Sequence, residues 1–332
     1  MKKLALAALL ATTAVPAAAD VNIYSYRQID LIQPLLDAFT KETGIDTNVV
    51  FLKKGMIERL EAEGERSPAD VILTVDISRL AGVVDAGYTQ AVNDPIINDN
   101  IPAVNRDPAG HWFGLTNRAR IVYASKERVA DGEVTTYEDL ADPKWKGRIC
   151  TRSGTHAYMV ALTSAVIHHH GEEAAKEWLA GLKANLARKP SGNDRAQVKA
   201  VWAGECDISL GNTYYMGKML ENEEQQAWAN SVNLVFPVFE GGGTHINVSG
   251  MALAKYSPNK EDALKFMEFL ASDQAQKIYA ELVYEYPVNP KVPASDLVAG
   301  WGSFTADDVN LMDLAKLRPT ALKITQEVDY DG

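Results

Sequence analysis

Short β-prone runs alternate with helical patterns along most of this 332-residue chain. Segment 30–43 places four apolar side chains at helical spacing, with Asp30 as the predicted N-cap and Gly44 as the stop. Such alternation predicts an α/β fold with a mostly parallel sheet and helices on both faces. The predicted strands are Val21–Tyr24, Thr47–Leu52, Asp70–Thr74, Ala119–Ala124, Arg148–Thr151, Cys206–Leu210, Val232–Val238 and Ser249–Ala254. The main further helices are Met56–Ala62, Ile77–Asp85, His156–His169, Glu172–Ala184, Asp194–Trp202, Lys260–Leu270 and Asp273–Tyr284.

The first 19 residues have the order of a secretory signal peptide. Lys2 and Lys3 give a basic start, an apolar run follows from Leu4 to Val15, and small residues precede Asp20. The alternative is a membrane anchor, but the run is shorter than the roughly 20 apolar residues that a spanning helix needs. We therefore expect a signal peptide at 1–19, cleavage before Asp20 and export to the periplasm.

Charge and cysteine content narrow the function classes further. The formal net charge of −11 argues against nucleic acid as a partner and suits a cationic ligand.

The two cysteines, Cys150 and Cys206, each lie at a strand-like run, so adjacent strands could bring them within bridging distance. Two buried free thiols are the alternative. A thiolate metal site is not expected, because neither cysteine has a nearby cysteine or histidine.

Three polar clusters follow predicted strands, which is where α/β proteins bind ligands. Gly211–Gly217 carries the adjacent pair Tyr214 and Tyr215, and Arg152–Tyr158 ends on Tyr158. Tyr24–Gln28 follows the first strand and offers Tyr26, Arg27 and Gln28. Structural alternatives exist for the first two clusters: one tyrosine of the pair in the core and the other on the surface, or a simple helix cap by Ser153 or Thr155.

With four further motifs, the chain resembles the periplasmic ferric-iron-binding proteins of ABC importers over nearly its whole mature length. The motifs, beside Y-S-Y-R-Q after the first strand, are P-A-D-V at 68–71, N-R-A-R at 117–120, G-N-T-Y-Y-M-G at 211–217 and G-G-T-H-I-N-V-S-G-M at 242–251. The resemblance implies a two-lobed fold that closes around one ferric ion held by phenolates. Its ligands would be Tyr158, Tyr214 and Tyr215, and the protein would deliver iron to an ABC permease of the inner membrane.

Elementary chemistry agrees with this interpretation. Ferric iron is a hard, highly charged ion that prefers anionic oxygen donors, whereas histidine and thiolate sites suit other metals. A bound cation makes a phenolate available at neutral pH, although free tyrosine has a pKa of about 10.

The first loop departs from the family pattern. Many members have histidine where this chain has Gln28 and Ile29. The remaining coordination is expected from Tyr26, from carbonate as a synergistic anion, or from water. Arg27 and Arg118 are the expected partners of that anion, with Arg120 next along the same strand face and Gln28 within reach of a ligand. For Arg118 and Arg120, surface ion pairs are the alternative.

The predicted lobes are discontinuous and joined by hinge strands. Lobe 1 comprises residues 20–117 and 241–292, and lobe 2 comprises residues 118–240 and 293–332. We expect a monomer and no enzymatic activity, since the chain has no G-x-S-x-G, H-E-x-x-H or cysteine–histidine signature. The rival function is the same fold binding an organic cation or an oxyanion. His168–His170 is interpreted as a solvated helix C-terminus, and Gly241–Gly243 as a hinge or turn.

Overall fold

The computed structural model describes residues 20–332, so the predicted signal peptide lies outside the described residues. Within this part the strands are β1 (Val21–Ser25), β2 (Thr47–Phe51), β3 (Val71–Thr74), β4 (Thr89–Gln90), β5 (Phe113–Ser125), β6 (Ile149–Cys150), β7 (Ile208–Asn212), β8 (Val232–Val235), β9 (Ile246–Ala254) and β10 (Tyr286–Pro287).

The helices surround these strands. They are α1 (Ile29–Thr43), α2 (Met56–Glu63), α3 (Ile77–Asp85), α4 (Pro95–Asn100), α5 (Ala157–His170), α6 (Glu172–Ala184), α7 (Asp194–Trp202), α8 (Tyr214–Leu220), α9 (Gln226–Asn230), α10 (Lys260–Ala271), α11 (Asp273–Val283), α12 (Asp296–Ala299), α13 (Leu311–Lys316) and α14 (Arg318–Glu327). Single 3₁₀ turns occupy Gly64–Arg66, Ala103–Asn105, Glu138–Ala141 and Pro143–Trp145. Every helix from residue 20 onward is too short or too polar to cross a membrane.

The sheet is mixed, so the prediction of a mostly parallel sheet is wrong. Its main path runs β2-β1-β3-β9-β5-β7-β6. Pairs β1–β2, β1–β3 and β6–β7 are parallel, whereas β9 and β5 run antiparallel to each other and to their outer neighbours β3 and β7. The antiparallel centre arises because β5 and β9 are long strands that cross the middle of the molecule rather than units of a repeated strand–helix crossover.

Strand β5 extends through both halves of the sheet. Up to Ala119 it pairs with β9, and from Arg120 it pairs with β7 and β8. Helices α1, α10 and α11 share one apolar core with β1, and α8 belongs to a separate core with the second half of β5. The strand therefore connects two differently packed regions.

Two local predictions also need correction. Helix α1 begins at Ile29 with Gln28 in the N-cap position and without a side-chain cap bond, so Asp30 lies inside the first turn instead of capping it. His169 and His170 are not a simple solvated turn, because the His169 ring bonds to Asp307 at 2.8 Å and the His170 ring bonds to Glu138 at 2.5 Å.

The glycine run Gly241–Gly243 forms a tight turn, where a Cβ on Gly243 would lie 2.5 Å from the backbone of Ala306.

Cys150 and Cys206 form a disulfide, which confirms the predicted bridge over two free thiols. It ties β6 to the residues that lead into β7, two parallel strands with Cys150 opposite Ser209. We expect the mature protein to show no alkylatable thiol by intact mass until it is reduced. Removing the bridge with Cys150→Ala and Cys206→Ala should lower the free energy of unfolding by roughly 4 kcal/mol, because the chain-entropy model gives that value for a loop of about 57 residues. Two reactive thiols in unreduced protein would contradict the bridge.

Candidate binding site

A cavity of about 510 Å³ lies at the carboxyl ends of β1 and β7 and beside the first turn of α5. All eight residues predicted from the sequence to form the site line this one cavity. They are Tyr26, Arg27, Gln28, Arg118, Arg120, Tyr158, Tyr214 and Tyr215. Residues up to 189 positions apart in the sequence are therefore brought together by the order of the strands.

Tyr214 and Tyr215 open helix α8 two residues after β7 ends. Their rings stack with centroids 4.4 Å apart, so both side chains leave the helix start toward the same space. Burial raises the pKa of Tyr214 well above its ordinary value, and the neighbouring Tyr215 adds to this. Burial and the carboxylate of Asp194 also raise the pKa of Tyr215. Both phenols are therefore protonated at neutral pH when no cation is bound.

Tyr158 lies in the first turn of α5 and is buried. Its hydroxyl donates a hydrogen bond to the Leu210 carbonyl oxygen at 3.2 Å, and Leu210 belongs to β7, the strand that leads to the tyrosine pair. Burial raises the pKa of Tyr158 well above its usual range. The helix is capped by His156, whose Nδ1 accepts from the Tyr158 amide at 3.3 Å, so the alternative of a cap by Ser153 or Thr155 is wrong.

Two guanidinium groups flank the Tyr158 ring. Arg120 lies 3.8 Å from the ring centroid and Arg152 lies 5.4 Å from it. Arg152 donates to the buried carboxylate of Asp194 at 2.7 Å, and the same carboxylate accepts from the Asn212 amide at 3.1 Å. Asp194 thus connects the loop after β6 with the end of β7.

Tyr26 and Gln28 occupy more open positions. The Tyr26 hydroxyl accepts from the Met56 amide at 3.3 Å, at the start of α2, and Arg79 lies 4.2 Å over its ring. Tyr26 therefore has a supporting role in its own half of the molecule in addition to facing the cavity. Gln28 is exposed at the cavity edge.

The strand and loop arginines are buried, so surface ion pairs are the wrong interpretation of Arg118 and Arg120, which are 6% and 2% exposed. Arg27 forms an ion pair with Glu285 at 2.9 Å. Ser249 accepts from both Arg27 and Arg118, and it donates to Glu285 at 3.2 Å. Arg120 donates to Asn212 at 2.6 Å.

Sequence reasoning gave no role in the site to a group of further charged residues in the cavity wall. Arg79, Arg152, Arg195 and Lys218 bring the cationic side chains to seven, against three carboxylates from Asp30, Asp76 and Glu285. Arg152 could have been found, since it directly follows a predicted strand. Asp76 could have been found too, because it follows a predicted strand and caps α3. Asp30, Arg79, Arg195 and Lys218 lie on helices and Glu285 lies far along the chain, so no local pattern marks these five. Within residues 20–332, no cluster of three or more histidine, cysteine, aspartate or glutamate residues is arranged to hold a metal ion.

Comparison with known proteins identifies the family. The model of the bacterial extracellular solute-binding proteins matches residues 27–277. This chain is a member of that family. Among its solute-binding relatives, "Iron uptake protein A1" of Synechocystis is 44% identical over 314 residues, covering 94% of this chain and 87% of the relative.

Solved solute-binding structures share the fold. The apo ferric ion-binding protein A of Pasteurella haemolytica is 50% identical with a TM-score of 0.90, covering 94% of this chain and 98% of that chain. A Trichodesmium protein in complex with iron and citrate is 43% identical with a TM-score of 0.89, covering 94% of this chain and 100% of that chain. The predicted two-lobed periplasmic-binding fold and the resemblance to ferric-binding proteins are thereby confirmed.

Proposed function

We propose that this solute-binding protein captures ferric iron in the periplasm through Tyr158, Tyr214 and Tyr215 and delivers it to an ABC permease. The observation that carries the proposal is the convergence of these three phenols on one cavity from two separate strand ends. The names of its relatives, an iron uptake protein and a ferric ion-binding protein, support the same cargo. Binding and delivery of a solute require no catalysis, so we propose no enzymatic activity.

The donor set suits a hard trivalent ion. Three phenolates balance the charge of one ferric ion, and anionic oxygen is the donor that such an ion prefers. Tyr26 is the candidate for a further ligand, at the cost of the bond that its hydroxyl accepts from Met56. Gln28 lies at the cavity edge where it could reach a ligand or its water.

The cationic lining supports a synergistic anion. If the three phenolates neutralise the iron, the excess of cations over carboxylates in the wall is left to be balanced. Arg118 and Arg120 are the better anion partners, because Arg27 is already paired with Glu285. Carbonate is our first candidate, and a polycarboxylate is the second, since the Trichodesmium relative holds iron together with citrate.

The lobe boundaries that we predict from the sequence complete the proposal. We propose that residues 20–117 with 241–292 move against residues 118–240 with 293–332, and that a monomer closes around its cargo by a hinge motion. The point at which β5 changes partners, between Ala119 and Arg120, lies next to the first of these boundaries.

Titration of iron-free protein with ferric citrate tests the cargo. We expect a visible phenolate-to-iron absorption band that saturates at one iron per protein. Because burial raises the pKa of Tyr158, Tyr214 and Tyr215, each phenol must release a proton on binding, so the apparent affinity should fall as the pH is lowered.

Repeating the titration without bicarbonate tests the anion, since equal iron retention in both buffers would exclude carbonate. A colourless protein at saturating iron would contradict tyrosine coordination.

An oxyanion is the second candidate cargo. The cation-rich wall favours an oxyanion over the organic cation, which the seven cationic side chains would repel. Calorimetry with a small phosphate ester and no metal separates the candidates. Tight, colourless binding without iron would support the oxyanion.

A further inference from the structure

One tyrosine outside the cavity joins the two sides of the site. Tyr284 ends α11 in the left-handed region, with φ 60° and ψ 32°. A large side chain rarely adopts this conformation, and helix ends that need it use glycine or asparagine. A backbone held in this way indicates that the side chain has a role that glycine could not provide.

The side chain of Tyr284 lies against α8, the helix that begins with Tyr214 and Tyr215. Its ring covers Gly217, where an added Cβ would lie 2.3 Å from the ring atoms. Its hydroxyl donates to Glu221 at 2.6 Å, and Lys218 lies 5.2 Å over the ring and bonds to the same carboxylate at 3.0 Å. Gly217 is thus the position in α8 at which the tyrosine ring can fit.

These contacts connect two separate packing units. Helix α11 packs through Ala275, Tyr279 and Val283 into the core that contains α1 and β1. Helix α8 packs through Met216 and Met219 into the core that contains the second half of β5. The bond between Tyr284 and Glu221 therefore spans the boundary between the proposed lobes.

The residues beside Tyr284 contact the rest of the site. Val283 and Glu285 line the cavity, and Glu285 binds Arg27 in the loop after β1. Tyr286 pairs with Asn117 on β5, just before that strand changes partners. One four-residue segment thus contacts the first loop, the central strand and the tyrosine-bearing helix.

We propose that Tyr284 is a positioning residue that latches α11 to α8, holds the cleft closed and slows the release of its cargo. The proposal rests on the proposed function for the identity of the cargo, ferric iron. The latch itself is a property of the apo protein as well, because its bonds involve no ligand. Opening of the cleft would break the hydroxyl bond to Glu221 and withdraw the ring from Gly217.

Two variants test the latch. Tyr284→Phe deletes only the hydroxyl, and Tyr284→Gly removes the whole side chain while suiting the left-handed backbone. Iron release is measured as decay of the visible band in excess chelator. The opening of the apo protein is measured as the distance between spin labels on the two lobes. Tyr286→Phe is the matched control, because its hydroxyl is buried and has no hydrogen-bond partner among the described residues.

We expect Tyr284→Phe to release iron roughly three- to tenfold faster, the effect of one lost hydrogen bond. Tyr284→Gly should release it faster still, with the position of the visible band unchanged, and both variants should shift the apo distances toward the open form. If Tyr284 only ends the helix, Tyr284→Gly should be as stable as the parent protein or more stable, and it should keep the parental rate of iron release and the parental spin-label distances. That result would overturn the latch. A parent protein that binds no iron would refute the proposed cargo, whereas the apo distances would still decide the latch.

Discussion

Tyr214→Phe and Tyr215→Phe are each expected to weaken ferric iron binding by more than about a hundredfold. Even groups that only support a metal ligand change affinity by 10–100-fold when they are removed, and these changes delete proposed ligands. Phenylalanine keeps the ring and the stacked packing at 4.4 Å, so the folded protein should remain. Titration with ferric citrate, followed by the visible band, measures the loss.

Loss of the third proposed ligand, Tyr158, should weaken iron binding in the same way, whereas loss of a tyrosine hydroxyl outside the cavity should not. Tyr158→Phe also loses the bond to Leu210, so its thermal stability is to be measured beside its affinity. The triple variant should show no band at all. Tyr256→Phe is the control, since Tyr256 lies outside the cavity wall. Parental binding by both Tyr214→Phe and Tyr215→Phe would remove the iron assignment and leave the oxyanion as the candidate cargo.

Glu285→Gln is expected to lower the free energy of unfolding by about 3 kcal/mol, because breaking a buried ion pair leaves the partner charge uncompensated. Glu285 is 1% exposed and bonds Arg27, Ser249 and Thr116. Denaturant unfolding measures the change. Glu281→Gln, on the preceding helix α11, is the control, because its pair with Lys277 is exposed and should be worth less than about 1 kcal/mol. Equal losses in both variants would show that the buried pair has no special weight.

The pH dependence of this effect has a definite sign. Burial alone would raise the pKa of Glu285, but Arg27 and Arg118 outweigh it and hold the pKa below its ordinary value. The carboxylate therefore contributes stability that is fully present above the unfolded pKa of about 4.3 and is lost as the pH falls through the folded value. The difference between the parent and Glu285→Gln should shrink below about pH 4.

The sequence was sufficient to predict the site tyrosines, which follow strand ends, and Arg27. A tyrosine pair after a buried strand, or an arginine after the first strand, has a local pattern from which its place at the sheet edge follows. Glu285 has no such pattern, because its partner Arg27 is 258 residues away. The same holds for Tyr284, whose left-handed backbone at a helix end would have been predicted for glycine.

The direction of the central strands was also beyond local reasoning. Parts of β5 and β9 are predicted as strands from their sequence. The alternation of strands and helices, however, does not indicate in which direction each strand pairs with its neighbours. Antiparallel pairing of β9 with both β3 and β5 depends on where a distant segment returns to the sheet. Whether the disulfide forms could not be decided from the sequence for a similar reason. Two cysteines 56 residues apart are compatible with a bridge or with two free thiols until the positions of their strands are known.

The position of β9 between β3 and β5 has a consequence for how the chain is made. Those two neighbours are complete by residue 125, yet the strand that joins them ends only at Ala254. Until that segment arrives, both expose unpaired backbone edges, which recruit other chains. A polypeptide that terminates before residue 246 should therefore accumulate as aggregate rather than as a folded half, and the long separation between paired strands should make folding of the intact chain slow.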